Sequence, residues 1–317
     1  MSLPTGYTWR TGRTSDADTL RGLIFGILRE YGLQPSPDGT DADLADVEAS
    51  FAQRGGWFEV LLDADQTIVG SVGLFPLRTG TWELRKMYLA AAHRGRGLGR
   101  ALLDRALAEA RRRGAVRVTL ETASVLKVAV GLYERAGFRR QPSAPHVCRC
   151  DVLMELELPF ERQRGNFSLS TDVRRFDLGR VHALLGQTYW AAGIPEDTVA
   201  RSLANSLSFG LFHGPEQIGL ARVVTDRATY AYLCDVVVAE AYRGQGLGRW
   251  LIEAVLAHPD LAGVRRFQLV TRDMHALYEP FGFKPADKPA SHLEIRRTDI
   301  YRPPPEQIPP DTATALS

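Results

Sequence analysis

Cysteine is nearly missing from this chain, with three in 317 residues. An odd, sparse set excludes a disulfide framework and suits a reducing compartment. Long apolar runs are missing too. No stretch of about eighteen such residues occurs, which excludes a membrane-spanning helix. The first ten residues lack the basic-then-apolar order of a secretory leader, so a cytoplasmic setting is expected. Charge of one sign is not in excess: a net charge of +2 points to neither nucleic acid nor a membrane surface as a partner. Metal-ligand spacing is lacking as well, and no metal is expected. Cys148-x-Cys150 puts two thiols on one face of an expected strand, but no second pair accompanies them, and buried structural cysteine is the plainer reading.

What remains is an ordinary globular composition, 44% hydrophobic and 24% charged, at a length that suits two domains. One stretch occurs twice: Arg94-Gly95-Arg96-Gly97-Leu98-Gly99-Arg100 and Arg243-Gly244-Gln245-Gly246-Leu247-Gly248-Arg249. Each follows a strand-like run, Met87-Tyr88-Leu89 or Val236-Val237-Val238, and each opens an apolar-periodic helix. Glycines let backbone approach a ligand closely and adopt conformations closed to other residues. The first turn of a helix has unpartnered N–H groups and a dipole that favours an anion. Flanking arginines add charge and forked donors suited to phosphate.

Strand, Gly/Arg turn, helix thus reads as a pyrophosphate cradle. Three other readings compete with it. A dinucleotide fingerprint has G-x-G-x-x-G, whereas the glycines here fall as G-x-G-x-G. A disordered Arg/Gly segment that binds RNA is at odds with the helical periodicity that follows. An ordinary glycine turn with solvated arginines accounts for one copy more readily than for two.

Alternation and turn residues set out the same order of elements in each half. In the first, a strand over 7–10 leads to a helix over 15–31, with Ser15-Asp16 as cap and Gly32 as stop. A turn at 35–39 precedes a second helix over 41–54. Strands follow over 57–62, 67–75 and 81–89, then the helix behind the corner to 113. A strand over 116–122, a helix over 125–136 and strands from 138 and over 147–158 complete the half. A polar link lies near 159–165. The second half has strands over 167–170, 210–213, 217–225, 229–238 and 266–271, and helices over 178–189, 195–206, 247–257 and 274–279. The domains are read as 1–160 and 166–302, with a frayed proline-rich tail over 303–317.

R-x-x-G-x-G ahead of a helix resembles motif A of the GNAT superfamily of N-acetyltransferases. Leu132-Tyr133-Glu134-Arg135-Ala136-Gly137-Phe138 and Leu277-Tyr278-Glu279-Pro280-Phe281-Gly282-Phe283 look like that family's late L-Y-x-x-x-G-F signature. The loops stand 149 residues apart and the tyrosines 145 apart. Both landmarks keep their order in each half, so the resemblance covers nearly the whole chain. It implies an α/β fold with mixed sheets, two tandem GNAT domains, and acetyl-CoA as cofactor. It also implies that the pyrophosphate sits on the loops at 94–100 and 243–249, and that the backbone of Met87, Tyr88, Leu89 and of Val236, Val237, Val238 pairs with the pantetheine arm.

The same resemblance implies transfer of an acetyl group to a primary amine of a small molecule or peptide. Direct attack is expected, since neither landmark places a cysteine as acyl carrier. Histone-type members carry their catalytic glutamate eleven residues ahead of the loop's first arginine, and Glu83 stands there. Glu83 as general base competes with Glu83 as an ion-pair partner of Arg85. A regular strand puts Glu83, Arg85, Met87 and Leu89 on one face, provided no bulge intervenes. Tyr133 and Tyr278 match the tyrosine that returns a proton to the departing sulfur, or pack beside the cofactor. The second half has Tyr232 where the first has Glu83. Its nearest carboxylate, Asp235, is expected to tie a neighbouring loop, or to act as base if a bulge redirects it; Asp273 and His275 are other candidates. Asp38, Asp41, Asp43, Asp46 and Glu48 attract a cationic amine or form a solvated helix face. Two alternatives stay open: one domain, the C-terminal one by preference, is a cofactor-binding scaffold, or the protein is an acyl-CoA sensor.

Overall fold

The computed structural model describes residues 3–297 and 300–301, so the tail read over 303–317 lies outside the described residues. The chain divides into two units, Met1–Phe160 and Glu161–Ser317, each with its own sheet.

In the first unit β1 (Thr8–Thr11), β2 (Trp57–Leu62), β3 (Ile68–Arg78), β4 (Thr81–Leu89), β5 (Arg117–Thr122), β6 (Arg139–Arg140) and β7 (Val152–Glu157) form one sheet in the order β1-β2-β3-β4-β5-β7-β6. Neighbours run antiparallel except β4 and β5, which run parallel. Helices α1 (Ala17–Glu30) and α2 (Val47–Ser50) cover one face, and α3 (Leu98–Arg112) and α4 (Lys127–Arg135) the other. The helical spacing of Leu98, Leu102, Leu103, Ala106, Leu107 and Ala110 puts one stripe of α3 into the core, as its sequence period dictates.

The second unit repeats this order from β1 to α4, with one strand added ahead and, among the described residues, no counterpart of β6 or β7. Its strands are β8 (Glu161–Arg164), β9 (Phe167–Ser170), β10 (Leu207–His213), β11 (Glu216–Thr225), β12 (Tyr230–Val238) and β13 (Arg266–Leu269), ordered β13-β12-β11-β10-β9-β8. Its helices are α5 (Leu178–Gly186), α6 (Glu196–Ala204), α7 (Leu247–Leu256) and α8 (His275–Tyr278). No helix among the described residues is long and apolar enough to cross a membrane.

Three local readings change. The helix expected over 41–54 is broken into a turn at Ala42–Leu44, α2 and a turn at Ala52–Arg54. Its apolar spacing suits a helix, but Asp46 leaves the helical conformation to cap α2 with its own side chain. The polar stretch read as a link contains β8, which pairs with β9. Cys148 and Cys150 precede β7 rather than lying on it, so strand alternation does not place them.

The change that matters most is in β4. Gly73 faces Arg85 and Ser71 faces Tyr88, so one residue more is spent on β4 than on β3. The extra residue is Lys86, at φ 51°, a β-bulge. Trp82 and Leu84 pack on the α3 side, and so do Met87 and Leu89; Phe75, which faces Glu83, and Tyr88 pack on the α1 side. Glu83 therefore shares a face with Tyr88, not with Met87 and Leu89. β12 repeats the device: Arg222 faces Cys234 and Leu220 faces Val237, with Asp235 at φ 53°.

Candidate active site

Beyond Glu83, β4 and β5 part. Their parallel pairing covers only Thr81, Trp82 and Glu83 against Arg117, Val118 and Thr119. From there to Leu89 the β5-facing edge of β4 has no partner strand among the described residues, while its other edge stays paired to β3. Such an edge offers backbone donors and acceptors to an extended ligand arm. The opening is a cavity of about 660 Å3, bordered by α1 residues from one face and α3 and α4 residues from the other. It passes through the sheet.

At one end of this cavity lies the first Gly/Arg corner. Gly95 and Gly97 have φ 77° and 78°, and a Cβ at either would meet nothing within 4 Å. The left-handed conformation asks for glycine, and the space beside it is open to a ligand. α3 starts at Leu98, and its first helical bond runs from Ala101 N to Gly97 O, so the amides of Leu98, Gly99 and Arg100 have no partner within the helix. In the second unit Gly244 and Gly246 have φ 77° and 73°, again with open space, and Trp250 N makes the first bond to Gly246 O. A diphosphate fits both corners, on amides and open space where a side chain would intrude.

The side chains of the corners do other work. Leu98 and Leu247 are core residues. Arg94 bonds through Nε to Leu89 O at 3.2 Å, and its fork is taken by Glu30 and Tyr31. Arg243 Nε binds Val238 O in the same way at 3.1 Å. These arginines close the strand-to-corner turn. Arg96 and Arg100 are exposed, with Arg96 on the Tyr7 hydroxyl and Arg100 on Asp104; Arg249 reaches Glu253, and the Gln245 carbonyl accepts from Arg164.

Glu83 and Tyr133 border the same cavity. Glu83 Oε2 accepts from Arg85 Nε at 2.7 Å and Nη2 at 2.6 Å, so both contacts fall on one oxygen and Oε1 stays available. Tyr133 is buried, with its hydroxyl 3.9 Å from Met87 Sδ; burial pushes that hydroxyl well above the ordinary phenol range. Tyr88, on the other face, is pushed up to about 12 by burial. Cys150 also borders the cavity, and burial pushes its thiol up to about 11, which keeps it protonated near neutral pH.

Sequence reasoning missed what sits around the bulge. Lys86 Nζ donates to Thr40 O at 2.7 Å and Asp41 Oδ1 at 2.6 Å, and Arg149 grips Asp41 with both Nη atoms at 2.7 and 2.8 Å. Asp41 is wholly buried. Burial alone would raise its carboxyl, but the hydrogen bonds from Arg149 and Lys86 outweigh it and hold the group at about 2. Glu121 fixes the 139–151 connection by accepting from His146 N at 2.8 Å and Val147 N at 2.9 Å.

The second unit departs here. Its bulge residue Asp235 is held by Arg222 Nε at 2.7 Å and Trp190 Nε1 at 3.2 Å, so it ties the connection after α5, as expected for it. Tyr278 is partly buried beside Phe283. It borders a cavity of about 650 Å3 next to β13, in whose lining no residue of the second corner takes part. Among the described residues no group of three or more metal-ligating side chains is found.

A mixed sheet that opens between two parallel strands onto an amide-lined corner defines a fold for gripping an acyl thioester of a nucleotide cofactor. The family model described as the acetyltransferase (GNAT) family matches residues 24–138 and again 181–283. The chain belongs to this family, once in each unit, and is an acyltransferase that draws on acetyl-CoA. It is 36% identical over 153 residues to the uncharacterized N-acetyltransferase YjgM of Escherichia coli K12, covering 45% of this chain and 90% of that protein. It is also similar to a GNAT-family protein of Xanthomonas campestris pv. campestris of solved structure, with 43% identity, a TM-score of 0.43, and coverage of 44% of this chain and all of that one. A GNAT acetyltransferase of Staphylococcus aureus Mu50 gives 23% identity and a TM-score of 0.45, over 48% of this chain and 99% of that one.

Proposed function

We propose that the first unit transfers the acetyl group of acetyl-CoA to a primary amine of a small molecule or peptide by direct attack. The observation that carries this reading is one through-sheet cavity shared by a diphosphate-ready corner, a carboxylate and a buried phenol. Bound acetyl-CoA supplies an activated acyl group whose thiolate leaves easily. The corner amides hold its diphosphate, and the unpaired edge of β4 at 87–89 aligns its arm. Glu83 Oε1 takes the proton that the amine must lose, directly or through one water. Tyr133, kept protonated by burial, returns a proton to the departing sulfur. Cys150 is no acyl carrier in this scheme, because its thiol is held protonated. The three free thiols suit a cytoplasmic setting.

The second unit, by the same reasoning, grips the cofactor without transferring from it. Tyr232 takes the place of Glu83, and the bulge carboxylate Asp235 is committed to Arg222 and Trp190. The domain bounds 1–160 and 166–302, with β8 joining the second, are part of this reading. Calorimetry with acetyl-CoA tests it: wild type binds at two sites, and Gly97→Trp and Gly246→Trp each remove one. A wild type that binds none would end the proposal. A thiol-release assay over a panel of amines separates an enzyme from a sensor, since only an enzyme liberates CoA in step with acceptor.

A further inference from the structure

The acids between α1 and β2 look alike in sequence, and the structure sorts them. Asp46 accepts from Ala49 N at 2.9 Å and the Thr14 hydroxyl at 2.6 Å. Glu48 accepts from Thr14 N at 3.0 Å, and Asp38 is exposed. Asp41 is locked between Lys86 and Arg149. Asp43 differs from all of them. It borders the cavity with a side chain only 16% exposed, and its Oδ1 is buried without a hydrogen bond. Lys86 Nζ lies 3.1 Å from that oxygen, but its short bonds point at Thr40 and Asp41, and the approach to Asp43 is poorly aligned. Burial raises the Asp43 carboxyl more than the charge and hydrogen bonding of Lys86 lower it.

The other charged side chains around the bulge each have an ion-pair or backbone partner. Glu83 and Arg85 hold each other, Arg149 is spent on Asp41, and Glu121 binds the 146–147 backbone. A buried carboxylate oxygen without a donor is costly and asks for an explanation. Asp41 is what keeps it there: through Lys86 and Arg149 it pins the 36–43 connection to the bulge of β4, two residues before Asp43. A cavity of this volume is in the range of small-ligand sites, ~300–1,000 Å3.

We propose that Asp43 reads a positive charge on the acceptor: the substrate is a small amine carrying a second cationic centre, ammonium or guanidinium, apart from the nitrogen that is acetylated. Asp41 acts as its positioning residue. This rests on the first unit being the transferase. Around the bulge Arg85, Lys86 and Arg149 are each paired with a carboxylate, which leaves none of these three cations free for a carboxylate on the acceptor. Glu83 then serves the reacting nitrogen while Asp43 holds the far end.

The test uses a five-carbon series that differs only in the far group: cadaverine, pentylamine and δ-aminovalerate. Thiol release by the full-length protein should favour cadaverine, then pentylamine, then δ-aminovalerate. Asp43→Asn should raise the KM for cadaverine by about tenfold to a hundredfold, leave its kcat and the KM for pentylamine nearly unchanged, and leave acetyl-CoA affinity unchanged by calorimetry. Asp43→Glu, which keeps the charge, should retain the cadaverine preference. Equal losses for all three amines, or a fall in acetyl-CoA affinity, would mark a merely structural residue and overturn the proposal. A fall in kcat with KM unmoved would overturn it in favour of a proton acceptor. Titration of cadaverine into CoA-saturated protein reads the charge without turnover. No binding there sinks the charge reader, whereas Asp43-dependent binding without thiol release sinks only the transferase reading.

Discussion

Lys86 occupies a backbone conformation that glycine favours and carries the one ammonium that meets Asp41. The two facts belong together: a positive φ costs a β-substituted residue roughly 1–2 kcal/mol, and the ion cluster offsets it. Removing one partner of a buried pair leaves an uncompensated charge. Asp41→Asn should therefore destabilise the first unit by about 3–5 kcal/mol at neutral pH, read by denaturant unfolding. The Asp41 carboxyl lies at about 2 when folded, against 3.8 ordinarily. A depressed value stabilises the fold above about pH 4, and that contribution is lost as pH falls through about 2. Wild type should lose stability over this window more steeply than Asp41→Asn. At the site itself, Glu83→Gln should lower kcat by about 10²–10⁴-fold with acetyl-CoA affinity intact. Because burial raises Tyr133, its deprotonation should produce no alkaline fall in kcat up to about pH 10, checked by a pH–rate profile.

At the scale of elements, the bulge does for β4 what no side chain does alone. It turns Met87 and Leu89 to the α3 side while Glu83 and Arg85 stay on the α1 side. Deleting Lys86 would make the strand regular and reverse every side chain from 87 onward; acetyl-CoA binding should then be lost at the first unit. Lys86→Gly keeps the bulge and loses only the ammonium. It should keep acetyl-CoA affinity while raising the KM for the acceptor, because the 36–43 connection is freed. Calorimetry and steady-state kinetics on the pair separate backbone path from charge. The corners obey local rules and were readable: glycines at positive φ between a strand and a helix. The break in the helix expected over 41–54 was not. Leu44, Val47 and Phe51 keep helical spacing, and only the burial of Asp41 and the cap of Asp46 show why the chain turns there.

At the scale of the molecule, each unit has its own sheet, and the division falls at Phe160 and Glu161. A fragment ending at Phe160 should fold alone, melt in one cooperative transition by circular dichroism, and bind acetyl-CoA at one site. A fragment starting at Glu161 should do the same without releasing thiol from any amine. Thiol release by the second fragment alone would reverse the division of labour proposed between the units.

The sequence by itself determined the duplication, most of the order of strands and helices, the two glycine corners and the membership in the family. All of these rest on short-range pattern: alternation, helical period, and glycine where the backbone takes a positive φ. Only the tertiary structure decided which acids matter. Asp41 meets Lys86 across 45 residues and Arg149 across 108, and no local spacing encodes such a meeting. It also decided the face on which Glu83 lies, because a single inserted residue in β4 inverts the alternation that a linear reading assumes. Pairing register and burial are properties of the packed chain, and in this protein they separate a solvated carboxylate from a buried one.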